Sequence, residues 1–579
     1  MKLFPGVSGA EPLRLNRWIA ARAGWLLPAL IAVVGFVPAA WALYAQSFAV
    51  LGRDQGIFQY VAWALRHGER AYRDIHEING PLPHAWHLVM QLLGGEDEHV
   101  FRTIDTVYLT AAYAFAATTI PRWVDLDLGG PAARRRGLVA WLLAGVAVLG
   151  PQYARYDWWH TSQREALYAI LILTSLSLQS IGHTTRVRRR ALVAFALAGV
   201  TTTLPWFGKP PCAVFALLQA FVLMLDRRDL AVSLRAAVAS AMAGGIAVLA
   251  AMLSFIAVYG DLGRGVALLS KVPRLHHTIW NETLLGAYRA YNNAPRLDWA
   301  AATLAIFLVV YWFVRLPPRA LLAAVLPVGG FIVFAGQGKA FPYHLHMLTL
   351  GTAVGQLVIV ASLAKATASA RIPAPVPIVL AALALGLGAK AAEDALLSPG
   401  VRGRWPAIAA TPEMRGRRVA EVVLGEVPPR EAVEVRAAAW LAFHTRPDDR
   451  VQIYGFDPYL LFLARRKSAS PVIYDFELNV DAALEGGPGA RPTDELRAWL
   501  LAYRDEAEAL VLEHVVASPP AAFALIDNAP FTHPEDAEAD FAAHCPKLDA
   551  FMRERYDAAA AFGTVHIWLR RDLTSTATP

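Results

Sequence analysis

Cysteine is almost missing from this chain, with two in 579 residues. Cys212 lies in an apolar run and Cys545 near the far end, so neither a disulfide framework nor a CxxC redox or zinc site is available. Charge is scarce too. Only 17% of the residues are charged while 56% are hydrophobic, which excludes an ordinary soluble protein. No internal repeat or low-complexity tract is present, which removes solenoids and repeat arrays. The formal net charge of +7 is not that of a nucleic-acid binder. It comes with neither a basic patch interleaved with aromatics nor a zinc motif, so nucleic acid is excluded as a partner.

What the sequence does hold is apolar runs of about twenty residues, long enough to cross a hydrocarbon core about 30 Å thick. They predict a polytopic α-helical membrane protein with about eleven spans. The spans fall roughly at 24–45, 100–121, 137–152, 164–182, 191–206, 210–225, 234–259, 299–315, 320–336, 342–363 and 373–392. A long basic leader (Lys2, Arg14, Arg17, Arg22) precedes the first run, which predicts an uncleaved signal anchor and not a cleaved signal peptide. With the N-terminus in the cytoplasm, Arg134–Arg136, Arg186–Arg190, Arg227–Arg228, Arg315/Arg319 and Lys365/Arg371 all fall on the cytoplasmic side. The expected site of the chain is therefore a bacterial inner membrane, with membrane lipids as its surroundings.

Residues 1–392 form the expected membrane module. After about 393 the charged fraction rises, and short β-like runs (Arg450–Gly455, Pro471–Phe476, Ala521–Ile526, Thr564–Leu569) alternate with helical ones (Thr493–Ala509, Ala537–Tyr556). Residues 393–579 thus read as an α/β domain on the outer face. The loops on that face are the polar ones: 46–99, 153–163, 206–209, 260–298 and 336–341.

The first outer loop, 46–99, opens with Gly52-Arg53-Asp54-Gln55-Gly56 directly after the first span. Asp54 stands where an N-cap is expected, its carboxylate accepting free backbone N–H groups. Ile57, Phe58, Val61 and Leu65 mark one apolar face of an expected interfacial helix. A carboxylate held at a membrane exit can also take a proton from a hydroxyl nucleophile.

Gly52-Arg53-Asp54-Gln55-Gly56-Ile57-Phe58-Gln59-Tyr60, followed by Gly68 to Asp74 and by His76-Glu77-Ile78-Asn79-Gly80-Pro81-Leu82-Pro83, resembles the first outer loop of the GT-C membrane glycosyltransferases. The likeness is to the branch of protein O-mannosyltransferases and lipid A aminoarabinose transferases. It covers most of the length in layout: many membrane helices, then an outer soluble domain. The resemblance implies an inverting glycosyltransferase. Its donor would be a polyprenyl-phosphate-linked sugar and its acceptor a hydroxyl of a glycan, lipid or protein on the outer face. It also implies Asp54 as catalytic base, with Glu77 assisting it or binding acceptor. Metal-dependent members carry Asp-x-Asp in this loop. Here Gly56 takes the second place, so no cofactor is expected and a divalent metal is not favoured. Asp125-x-Asp127 lies on the cytoplasmic side as a solvated loop.

A lipid phosphate leaving group needs cations. Lys209, on the short Trp206–Pro211 loop, and Lys339, followed by His344 and His346, are the candidates. The two histidines lack a third ligand nearby and suit sugar or phosphate bonding better than metal. Arg155, Tyr156, His160, Arg164 and Glu165 form the densest polar–aromatic cluster and are candidate substrate-binding residues. Arg102 and Asp105, a helical turn apart, are expected to pair. The long 260–298 loop, with His276 and His277, is a candidate lid. No residue of the C-terminal domain is assigned to the site; Tyr454–Pro458 reads as turn and core. Alternatives are an oligosaccharide polymerase or ligase using a diphosphate-linked donor, a transporter, or a non-catalytic assembly protein. The transporter lacks its inverted repeat.

Overall fold

The computed structural model describes residues 10–574 apart from 50, 158, 369–375, 403–428 and 489–490. Lys2 and Arg371 lie outside the described residues. A helix over Ala10–Ala20 carries Arg14 and Arg17 and leads into the first long apolar helix, Ala23–Gln46.

Among the described residues, nine helices are long and apolar enough to cross a membrane. They are Ala23–Gln46, Pro131–Ala154, Arg164–Thr184, Arg188–Phe207, Leu234–Tyr259, Ala294–Val314, Pro318–Gln337, Pro342–Thr367 and Val376–Leu396. The two other expected spans are also helices, but each departs from the rule. Glu98–Trp123 is 26 residues long, capped by Asp97 on the Val100 N–H, and carries buried Arg102 and Asp105 in its interior. Pro210–Leu225 is too short at 1.5 Å per residue to span about 30 Å alone.

The alternation of ends follows the charge pattern. At one end Arg319 donates to Asp226 at 3.2 Å and to Asp125 and Asp229, while His183 Nδ1 lies 2.7 Å from Asp226. The arginine-rich loops therefore gather there. The outer loops meet at the other end, where Lys209 reaches both Glu165 and Gln337.

Burial separates two bodies of core. One lies within the bundle, around Leu109, Trp141, Leu173 and Leu350. The other joins Tyr60 and Val61 of the first outer loop to Leu268 and Leu275 of the Leu262–Ile279 helix and to Ile453 and Leu461 of the C-terminal unit. Each such aliphatic side chain contributes roughly 1.5–3 kcal/mol on burial, enough to dock the soluble unit on the loop. This corrects the expected interfacial helix. In the helix Arg53–Arg66, Arg53 and every residue from Gln55 to Leu65 are buried. The face expected to be wet is covered by the C-terminal unit, and its polar residues find partners inside. Gln59 bonds His87 and Gln91, and Tyr60 accepts from the Ser468 N–H.

The C-terminal unit holds a five-stranded sheet in the order β2-β1-β3-β5-β4. The strands are β1 (Arg450–Tyr454), β2 (Lys467–Ser468), β3 (Ala522–Ile526), β4 (Tyr556–Phe562) and β5 (Val565–Arg570). β1 is parallel to β2 and β3, and β5 is antiparallel to β3 and β4. Two readings need correction. Pro471–Phe476 is a connection and not a strand. Its backbone is taken up singly, by His76 and by Gly455, before a 3-10 turn at Asp475–Glu477. The run expected as one helix over 537–556 breaks at Cys545, where Pro546 starts a second helix, Pro546–Arg555. Tyr556–Phe562, rich in alanine, is drawn into a strand by pairing with β5 despite helical propensity.

Candidate active site

The helix bearing Asp54 begins at Gly52, whose extended backbone (φ −76°, ψ 172°) forms the N-cap without a side-chain bond. Glycine suits that position, because a Cβ would crowd the Trp159 backbone at 3.0 Å. Asp54 is therefore not the cap expected from sequence. It stands in the first helical turn, partly open to a cavity and otherwise enclosed by protein. Burial raises its pKa above the ordinary aspartate range, against the pull of Arg164 and Arg53. A carboxylate so placed is a stronger proton acceptor than a solvated one.

The cavity measures about 700 Å³ and lies between the outer helix ends and the C-terminal unit. One wall is cationic: Arg164, Lys209 and Lys339 all line it. Beneath them sits Glu165, buried, accepting from Lys209 at 2.5 Å and from Arg164 at 3.2 Å. Gln337 accepts a further bond from Lys209. Gly208, beside that lysine, leaves no room for a side chain against the Tyr168 hydroxyl. Lys339 is held otherwise: its Nζ lies 3.2 Å from His276 Nδ1 and 4.9 Å from the Trp280 ring centre. Burial, with Arg164 and Lys209 nearby, lowers its pKa to about 7. Burial also lowers Lys209, though Glu165 resists.

The adjoining wall is aromatic. It is built by Trp280 after the Leu262–Ile279 helix, and by Phe456, Tyr474 and Phe531 of the C-terminal unit. The 260–298 segment expected as a lid thus supplies an ordered helix whose Val272, Pro273, His276 and His277 roof the cavity.

The remaining predicted residues separate into three groups. His160 lines the cavity, its Nδ1 held 2.7 Å from Asp157. Glu77, His344, His346 and Tyr156 stand behind it. Glu77 is fully buried and accepts from Tyr474 at 2.6 Å and from the Asn79 backbone at 2.9 Å. Against the upward push of burial, the nearby His84 ring, 3.9 Å away, and bonds from Tyr474 and Asn79 hold Glu77 below the ordinary glutamate range. It is a poor base, but it fixes two side chains that line the cavity. His346 Nε2 donates to the His160 carbonyl (2.8 Å), and its ring lies 3.9 Å from the Tyr156 ring centre. His344 Nε2 is 3.7 Å from Glu165. Arg155 is apart from all of these, more than half exposed and paired with Asp394 at 3.0 Å. Arg102 and Asp105 converge on the same hydroxyl, Ser162 Oγ, at 2.7 and 2.6 Å.

Sequence reasoning missed the C-terminal contribution. Arg53 donates to Asp457 at 3.0 Å, both side chains being buried, and its guanidinium lies near the Trp159 and Phe456 rings. The turn Gly455–Pro458, read as plain structure, supplies this pair. Gly56, in the place of a second loop carboxylate, packs against Tyr459, whose ring would meet a Cβ at 2.6 Å. Any side chain at 56 would push the C-terminal unit away.

No family model matches the sequence, and no curated protein does. Solved structures do. ArnT from Cupriavidus metallidurans bound to undecaprenyl phosphate matches with a TM-score of 0.53 at 15% identity, over 96% of this chain and 98% of that one. The apo state of ArnT matches with a TM-score of 0.55 at 15% identity, over 94% and 99%. Over 94–96% of its length, this chain shares the fold of ArnT.

Proposed function

We propose that this protein is an inverting glycosyltransferase that moves a sugar from a polyprenyl phosphate to an acceptor hydroxyl. The reaction would take place on the outer face of a bacterial inner membrane. The observation that carries the reading is one cavity in which Asp54 faces Arg164, Lys209 and Lys339 at the outer ends of the helices. The positive-inside pattern supports that orientation, and the undecaprenyl phosphate bound to the ArnT neighbour supports the donor class.

The chemistry needs one base and one anion site. Asp54 takes the proton of the acceptor hydroxyl, whose oxygen attacks the anomeric carbon from the face opposite the phosphate. The bond from that carbon to the phosphate oxygen breaks, and its electron pair stays on the polyprenyl phosphate. Lys339, Lys209 and Arg164 stabilise that developing charge at the cavity wall. Lys339 matters most here, since no carboxylate is bonded to it among the described residues. Glu77 positions Asn79 and Tyr474 without touching the reacting atoms. The reading requires no metal, because the leaving phosphate is met by three side-chain cations.

The test is an assay of purified protein with a panel of undecaprenyl phosphate sugars, comparing wild type with Asp54→Asn. Release of undecaprenyl phosphate by wild type, lost in the variant and unchanged by EDTA, is expected. Equal release by both proteins would refute Asp54 as base; loss with EDTA would refute the metal-free reading.

A further inference from the structure

Resting on that transfer reading, we infer that the aromatic wall of the cavity, beside the cations, is an acceptor site for a neutral pyranose. The acceptor is then a carbohydrate hydroxyl and not a polypeptide side chain.

Place in the fold is the first ground. Phe456 follows β1 and Phe531 follows β3, and these two strands are adjacent and parallel. Crevices outside the carboxyl ends of parallel strands are where open α/β sheets hold ligands. Neither strand is an edge of the sheet, whose edges are β2 and β4. An extended peptide adding to an exposed edge therefore has no backbone ladder to join at the cavity.

Shape is the second. Phe531 and Trp280 lie 4.2 Å apart between centroids with planes at 69°, and Trp280 and Phe341 lie 5.5 Å apart at 73°. Perpendicular rings make a corner, and Trp280, Phe341 and Phe531 each keep part of their surface open. Phe456 backs Phe531 at 4.7 Å. Flat, partly open aromatic faces suit the apolar C–H face of a sugar ring.

Charge is the third. On the C-terminal side of this wall the ions are bonded within the protein, Arg53 to Asp457 at 3.0 Å and Asp475 to the Thr532 hydroxyl at 2.7 Å, while Lys339 borders it at Trp280, 4.9 Å from the ring centre. The polar groups that line it openly, His277, His533 and Asn79, are hydrogen-bonding groups suited to hydroxyls. The presenting loop is also unusual. Asn528, Phe531 and His533 adopt left-handed backbone (φ 55°, 78° and 46°), locked by Asn528 N–H on Pro534 and His533 N–H on Ala529. Non-glycine residues in that region carry strain, and here it holds the Phe531 ring at the cavity.

The experiment is saturation-transfer NMR on the full-length protein in detergent, with methyl glucoside, galactoside, mannoside and N-acetylglucosaminide as probes and N-acetyl-serine amide as the peptide probe. Undecaprenyl phosphate binding is measured in parallel. Expected is binding of at least one glycoside through its ring C–H face, roughly three- to tenfold weaker in Phe531→Leu and retained in Phe531→Tyr. Undecaprenyl phosphate should bind all three proteins alike, which also reports that they are folded. Glycosides binding wild type and Phe531→Leu equally, or binding only by the serine amide, would overturn the inference. Glycosides that fail while the lipid binds would remove the acceptor site and leave the transfer reading standing. Phe531-dependent glycoside binding without lipid binding would support the carbohydrate site and remove the transfer reading.

Discussion

The helix bundle carries a cluster of buried charge at each end, and the two are built differently. At the arginine-rich end, buried Asp226 is met by Arg319 and by His183, while Asp125 and Asp229, which also bond Arg319, are about half exposed. Every buried charge there has its counterpart in contact, and water reaches the rest. At the outer end, Glu165 alone serves both Arg164 and Lys209, and Lys339 rests on a histidine and a ring face beside an open cavity. In the first cluster the buried ions Arg319 and Asp226 are in direct contact. In the second, Lys339 has no carboxylate bonded to it among the described residues, which is how a phosphate site differs from a structural knot.

The largest effect expected from breaking this contrast is at Asp54. Asp54→Asn keeps the shape and removes the base, so turnover should fall by about 10²–10⁴. Undecaprenyl phosphate affinity, measured alongside, should not weaken. Next in size is the pair Glu165→Gln and Asp226→Asn. Glu165→Gln leaves buried Lys209 and Arg164 without their carboxylate and should cost about 3–5 kcal/mol in unfolding experiments, and Asp226→Asn should cost less, since Arg319 keeps Asp125 and Asp229. The two then diverge. Added undecaprenyl phosphate should restore much of the stability of Glu165→Gln, because the lipid phosphate replaces the lost charge. No lipid should rescue Asp226→Asn, whose turnover per folded molecule stays at the wild-type level. Identical lipid responses would erase the distinction between the two clusters. The smallest effect is expected at Arg155→Ala. Its exposed bridge to Asp394 is worth roughly 0–1 kcal/mol, and kinetics should be unchanged.

Much of the bundle was legible because span length and loop charge are direct consequences of bilayer thickness and the positive-inside bias. Asp54 was legible by its place after the first apolar run. Its role as an N-cap was misread, because the cap is the earlier Gly52, where the Trp159 backbone lies close, which no local pattern reveals. The aromatic wall was not legible. Arg53 and Asp457 are 404 positions apart, and Phe531 reaches the cavity only through a left-handed loop conformation unusual for phenylalanine. The first outer helix likewise reads as interfacial until the C-terminal unit that covers it is known.

The contrast between the ends is tested most directly by undecaprenyl phosphate binding from about pH 6 to about pH 9, for wild type and Lys339→Met. Burial, with Arg164 and Lys209 nearby, lowers the Lys339 pKa to about 7. Below that pH it is already charged and the lipid phosphate binds a prepared cation. Above it, binding must take up a proton, so the advantage of wild type over Lys339→Met should shrink by up to about tenfold per pH unit. The ratio of the two dissociation constants cancels ionisation of the phosphate itself. A ratio that falls above pH 7 is the predicted result; one that stays constant across the range would contradict an anion site completed by Lys339.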